Sequence, residues 1–330
     1  MNTINITCPM AFNTTKYFTI PMYSLALAAG LPLNCLALLA LVSHIQKSIV
    51  LSVYVLNVVL ANILQSLMLP FWINYSYHNH HWNLGEGACM VFGVIFFTNF
   101  YAKNNFLCLI AMERYIGLIY PLKFYRLQTM HGATKVSIGA WLLVAILCVA
   151  GVWIQMHGSE TWQGRCLDGS QSGKDYAYFK MATMSFSFFM PCFLMGFFYF
   201  RVLFALRKKT SLQQRLKRKI YGFISLIIAS FFLLCTPYQV ISCYKYYCTL
   251  MLENNEFCDI ERNSFIYIHV TWCLAILTTI LDPLLYILLL KDVQANLKDH
   301  LSFRARRTQI TQDLPLHSTT GWIQKVPVSQ

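Results

Sequence analysis

The chain has 330 residues, of which 57% are apolar and only 12% charged, about half the charged share of a soluble globular domain. So little charge cannot cover a water-facing surface, and the same numbers exclude intrinsic disorder and collagen-like repeats, which leaves a chain solvated by lipid. The net charge of +13 suits either nucleic acid or an anionic membrane face, and the placement of the basic residues decides which.

Residues 1–16 are polar and lack the apolar core of a cleavable signal peptide, so the first span is expected to serve as an uncleaved anchor. Seven stretches reach the roughly 20 apolar residues that a spanning helix needs. They are Tyr17–Val42, Ile49–Asn74, Ala88–Tyr120, Gly132–Met156, Tyr176–Leu206, Ile220–Tyr247 and Phe265–Leu290, and the third and fifth are long enough to project past the bilayer. Pro32, Pro70, Pro191, Pro237 and Pro283 lie inside spans, where neighbouring helices can re-satisfy the freed carbonyls. Beyond them, Val293, Leu297 and Leu301 recur at helical spacing and predict an amphipathic helix on the inner leaflet. The predicted fold is an all-α membrane protein, a seven-transmembrane helix bundle with a short amphipathic eighth helix. Its expected divisions are an extracellular glycosylated N-terminus (1–16), the seven-span domain (17–290), the surface helix (291–303) and a cytoplasmic tail (304–330).

Lys47, Lys123, Arg126, Lys135, the third-loop run Arg207–Lys219 and the basic residues after Lys291 fall on one side of the predicted membrane. Most acids, including Glu86, Glu160, Asp168, Asp175, Glu253 and Glu256, fall on the other. Cytoplasmic loops carry the Lys/Arg excess, which puts the N-terminus outside and assigns the positive charge to a cytoplasmic face rather than to nucleic acid. The sequons at Asn5 and Asn13 agree as glycan sites, whereas Asn74 sits too near the lipid.

Of twelve cysteines most fall inside spans and read as small core residues. Cys8, Cys89, Cys166, Cys248 and Cys258 lie on the outer side, where disulfides are permitted. A Cys89–Cys166 bridge would pin the loop before the fifth span across the helix mouth, and Cys8–Cys258 would tie the N-terminus to the last span. Cys248 is the spare, and spacing alone does not decide the connectivity.

Ionisable groups inside spans are costly and mark function by default. Lys103 stands mid-way along the third span, Glu113-Arg114-Tyr115 at its inner end, and Asp282 in the seventh, while Asn34 and Asn62 lie in the first and second. An acid followed by an arginine at a cytoplasmic helix end can hold that arginine by charge and release it to a docked partner.

Here the chain resembles the rhodopsin-like (class A) G-protein-coupled receptors. Glu113-Arg114-Tyr115 followed by Tyr120-Pro121-Leu122 is similar to their Asp/Glu-Arg-Tyr signature, and Asp282-Pro283-Leu284-Leu285-Tyr286 to their Asn/Asp-Pro-x-x-Tyr motif. Asn34, Trp141, Pro191, Tyr199, Cys235-Thr236-Pro237-Tyr238 and Trp82-x-x-Gly85 fall where that family has its landmarks. Leu69-Pro70-Phe71-Trp72, Asn99-Phe100-Tyr101 and the Cys8/Cys258 pair resemble the branch of nucleotide, lysolipid and proton-sensing receptors, with the proton-sensing group nearest. The resemblance covers residues 17 to about 303. It implies a heterotrimeric G protein as partner, arrestin and a receptor kinase as further partners, and membrane lipids around the bundle. It also implies that Tyr199 and Tyr286 turn inward in the active state. No cofactor and no metal is implied.

The chain departs from that pattern at Asn62, where the family usually has Asp, and at Lys103, where it usually has a small polar residue lining a sodium pocket. Lys103 is therefore expected to replace sodium and pair with Asp282. The sixth span lacks the usual Trp before Pro237, which leaves Phe231 as the candidate toggle.

Three inputs compete. Protons would act through outer histidines, with His269 best matched to the family's sensing position and His81 and His157 as further candidates; His78 and His80 read equally well as solvated loop residues. An acidic lysolipid or fatty-acid derivative would use an aromatic cleft containing Tyr101, Tyr238 and Trp272, with Lys245, Lys180, Arg165 and Arg262 as cations. A nucleotide ranks last, because Gln239 and Ser242 stand where nucleotide-binding relatives place His and Arg. A constitutively active orphan or a non-signalling scavenger is the remaining alternative. No enzymatic motif or transporter-like repeat is apparent in the sequence.

Overall fold

The computed structural model describes residues 12–45, 50–120, 129–157, 164–167, 174–208, 214–251 and 257–289. Among them seven helices are long and apolar enough to cross a membrane: α1 (Phe12–Val42), α2 (Val50–Tyr77), α3 (Glu86–Gly117), α4 (Met130–His157), α5 (Lys174–Arg207), α6 (Ile224–Met251) and α7 (Ile260–Leu284). The expected eighth helix, the tail, Asn5 and Cys8 lie outside the described residues.

The helices form a closed bundle in which α7 packs back on α1, and α3 meets α2, α4 and α5. Burial follows from that placement: 67% of the apolar stretch of α3 is buried against 28% for α4 and for α5, so α3 is the axis and α4 and α5 are peripheral. Leu143, Ile146, Phe193 and Phe200 point outward, while Asn34, Asn62, Asn104 and Gln239 are buried inside. That inversion, apolar out and polar in, is stable only in hydrocarbon.

Prolines shape the rods. Three π turns, Ala26–Gly30, Ser185–Phe189 and Phe231–Cys235, each end two residues before a proline: Pro32, Pro191 and Pro237. A proline has no N–H, and its ring collides with the carbonyl four residues back; the extra residue of a π turn swings that carbonyl aside. The turns of α5 and α6 meet, with Phe188 and Phe231 stacked at 5.1 Å and 7°.

Pro283 is accommodated differently. Its missing N–H frees the carbonyl of Thr279, and the Asn34 side-chain amide of α1 donates to that oxygen at 2.7 Å and to Gly30 O at 2.8 Å. Gly30 permits the approach, since a Cβ there would sit 3.1 Å from Thr279 Oγ1.

Two helix starts differ from expectation. α1 begins at Phe12, not Tyr17, because Phe12 packs edge-on against Phe265 and Thr15 caps back onto Phe12 O. The helix of α7 begins before Phe265, since an ion pair to Glu261 carries the polar residues there into the bundle.

Candidate functional site

One end of the bundle is closed by a disulfide between Cys89 at the start of α3 and Cys166 in the loop before α5. The same loop is held by Trp82, whose backbone N–H donates to Gly164 O at 2.8 Å. Cys248 is buried and free.

The α2–α3 turn places a histidine beneath this roof. α2 ends in a Schellman motif: the N–H of His80 donates to Tyr75 O and that of Asn79 to Ser76 O, with Asn79 in the left-handed region at φ 53°. The motif folds His80 back onto the Tyr75 ring and leaves it 1% exposed. Thr15 donates its hydroxyl proton to Phe12 O, so it accepts from His80 Nε2 at 2.9 Å. The His80 ring lies 5.0 Å from that of His269 on α7. His269 Nδ1 donates to Phe265 O at 2.9 Å, since a carbonyl can only accept.

Both imidazoles line a cavity of about 110 Å³ that also reaches Trp272, Tyr238, Lys180 and the Lys245–Glu261 pair. Lys245 Nζ is 2.6 Å from Glu261 Oε1, bridging α6 to α7. Trp272 forms the floor, with Tyr238 at 4.4 Å and Phe100 at 4.7 Å.

Below this floor is a polar core. Lys103 is fully buried, donates to Thr278 Oγ1, and has its Nζ 3.7 Å from Asp282 Oδ2. Asn62 donates to the same carboxylate oxygen at 3.1 Å. The cluster joins α2, α3 and α7, and its one positive and one negative charge cancel.

At the opposite end, Glu113 Oε2 lies 3.6 Å from Arg114 Nε; the arginine side chain is 42% exposed and the glutamate nearly buried. Tyr115 packs on Phe198 at 5.3 Å. Tyr199 is fully buried in α5, while for Tyr286 only the helical backbone is described.

The sequence-derived candidates thus separate into three groups. His269, Lys245, Tyr238 and Trp272 share the cavity, with Tyr101 just below it and Gln239 buried in α6. Asn34, Asn62, Lys103, Asp282 and Pro283 form or flank the polar core, and Glu113, Arg114 and Tyr115 the far end. His81 and His157 are exposed and outside the cavity; His157 stacks on Trp153 at 3.9 Å. Arg165 lies over the Phe12 ring at 4.5 Å. Asn13 is exposed at the start of α1. His80 had been weighed evenly against a solvated loop residue, and Glu261 was not among the candidates. Asn79, a residue that tolerates the left-handed C′ position, was the signal for His80, and Glu261 fell outside the predicted seventh span. Among the described residues no cluster of His, Cys, Asp or Glu could hold a metal.

Comparison with known proteins agrees with this layout. The profile of the 7 transmembrane receptor (rhodopsin family) matches residues 33–286. The human probable G-protein coupled receptor 132 is 28% identical over 285 residues, covering 84% of this chain and 72% of that protein. Human G-protein coupled receptor 183 is 27% identical, covering 84% and 79%. Human G-protein coupled receptor 65 is 23% identical over 321 residues, covering 94% of each. With the profile spanning most of the chain and the Glu113-Arg114-Tyr115 and Asp282-Pro283 elements set at their places in a seven-helix bundle, this chain belongs to the rhodopsin family of seven-transmembrane receptors, multi-pass membrane proteins that signal through G proteins and are not enzymes.

Proposed function

We propose that this receptor senses extracellular protons at its disulfide end and transmits the signal to a heterotrimeric G protein at the Arg114 end. The observation that carries the reading is the 5.0 Å approach of His80 to His269. Histidine is the side chain whose charge changes between about pH 5 and 8. Two charged rings at that separation repel by about 3 kcal/mol at an effective dielectric of about 20, comparable with the 1–3 kcal/mol of a typical allosteric coupling. The neighbouring charges include Arg165, beside Phe12, and Lys180 and the Lys245–Glu261 pair on the wall of the same cavity. A state with α7 displaced from the α2–α3 turn relieves the repulsion, binds more protons, and is therefore favoured as pH falls.

In this reading the N-terminus is extracellular, with glycans on Asn5 and Asn13 and a second bridge from Cys8 to Cys258. Arg114 is held at rest by Glu113 and released to the G protein. A half-exposed pair of this kind contributes at most about 1 kcal/mol, so a partner can break it readily. Tyr199 and Tyr286 turn inward to stabilise the open state. Residues 291–303 lie on the inner leaflet, and the tail offers arrestin and a receptor kinase their sites.

The test is a cAMP and calcium readout in cells across extracellular pH of about 6 to 8, for the parent chain and for His80→Phe and His269→Phe. Signalling that rises with acid and is flattened by either substitution supports the reading; a flat response in the parent chain removes it, and pH-independent basal signalling marks a constitutively active receptor. A second reading, an acidic lipid, is favoured by Lys180. The nucleotide reading gains nothing, since Gln239 and Ser242 carry no charge.

A further inference from the structure

Inside the described helices Lys103 and Lys180 are buried and Lys245 is half-buried. Two of them face a carboxylate: Lys103 faces Asp282 and Lys245 faces Glu261. Lys180 on α5 is 8% exposed, and among the described residues no carboxylate comes within ion-pair distance of it. Its ammonium lies 4.9 Å from the centre of the Phe97 ring and 5.4 Å from that of Tyr101. Aromatic faces attract a cation but do not cancel its charge, and a buried charge left uncompensated is an attractor for an anion of the right size.

Two cavities meet at this lysine. The first is the histidine-lined cavity beneath the disulfide, about 110 Å³, which reaches Lys180 beside Tyr176 and Tyr246. The second is a narrow cleft between α3, α4 and α5. Beyond Lys180 it is walled mainly by apolar side chains, among them Val144, Leu147, Val152 and Phe179. Phe97, Tyr176 and Lys180 line both. The cleft is bounded by the two least buried helices of the bundle, α4 and α5. Phe179 closes it by resting on Gly151, where a Cβ would sit 2.9 Å from the ring.

We infer that Lys180 is the headgroup anchor for a single-chain amphiphile carrying a carboxylate or a phosphate, whose acyl chain leaves the bundle between α4 and α5. This deepens the second reading above and is independent of the proton reading. The upper cavity holds a small anionic group and not a whole amphiphile, so the chain needs another path, and the cleft beginning at Lys180 is an apolar one that leads toward lipid. Displacing the Phe179 ring from Gly151 opens it. Tyr176 and Tyr246, whose rings lie 5.6 Å apart, supply hydroxyl donors on the cavity side.

The experiment is equilibrium binding of tritiated oleate and tritiated oleoyl lysophosphatidate to the full chain in phosphatidylcholine nanodiscs at constant neutral pH, with oleyl alcohol as the uncharged probe. Lys180→Gln is expected to weaken the anionic probe that binds by tenfold or more and to leave oleyl alcohol unchanged, while Lys180→Arg retains most of the affinity. Which of the two acids binds more tightly distinguishes a fatty acid from a phosphate lipid. Unchanged affinity of both anions for Lys180→Gln overturns the assignment, as does an equal loss for the alcohol. Should Lys180→Gln fail to fold, the parent chain carries the test: oleoyl lysophosphatidate and oleate bearing a diazirine at the chain terminus are expected to label Val144–Val152 and Phe179–Ser187, and labelling spread evenly over the seven helices contradicts the site. Constant pH keeps these outcomes separate from the acid response, so either reading can fail alone.

Discussion

Lys103 and Asp282 are the residues whose removal should cost most. Lys103→Met alone leaves a buried carboxylate without its cation and is expected to destabilise the receptor by about 3–5 kcal/mol. Lys103→Met combined with Asp282→Leu is expected to recover most of that loss, read as the midpoint of thermal unfolding in detergent. Because the ammonium fills this core, raising sodium to about 0.15 M at constant ionic strength is expected to leave the signalling response unmoved; a sodium-dependent midpoint would count against that role. Asn34→Leu should cost about 1–3 kcal/mol, because the Thr279 carbonyl freed by Pro283 then has no donor, and the same unfolding measurement checks it. At this scale the sequence is informative where chemistry is forced. A lysine and an aspartate in apolar spans were expected to pair, and they lie 3.7 Å apart. His80 was not legible in that way, since its burial depends on a turn conformation at Asn79 rather than on hydrophobic pattern.

The helices themselves were readable because lipid demands long apolar runs, and all seven were found within a few residues. Their ends were less so. Phe12 and Glu261 extend α1 and α7 through tertiary contacts that no hydropathy window contains. The three π turns were also invisible, although each sits at the same offset before a proline, and that regularity has a steric cause. The disulfide is an element-level restraint on the cavity roof. Cys89→Ser with Cys166→Ser opens a loop of 77 residues and is expected to lower stability by about 2–4 kcal/mol. It should also blunt the acid response by freeing Gly164 from Trp82. Unfolding and cAMP measurements on the same variant test both parts, and an unchanged acid response would show that the roof does not position His80.

For the whole molecule, the bundle separates three layers along its axis: a histidine-lined cavity beneath the disulfide, a neutralised lysine core, and an arginine held by its neighbour at the far end. Fold class and receptor family could be read from motifs because their residues are fixed by membrane physics and by partner docking. The input layer could not, since it is built from turns, loop placement and ring contacts. Coupling between the first and last layers is the central claim, and it predicts a movement. Labels at Thr134 on α4 and Gln214 at the start of the helical segment Gln214–Ser230 that leads into α6, both exposed at the Arg114 end, report that movement by electron–electron resonance in nanodiscs. As pH falls from about 8 to about 6, the distance between them should lengthen in the parent chain and stay fixed when His80 and His269 are both replaced by Phe. A distance that ignores pH in the parent chain, or lengthens equally in the double variant, contradicts the coupling.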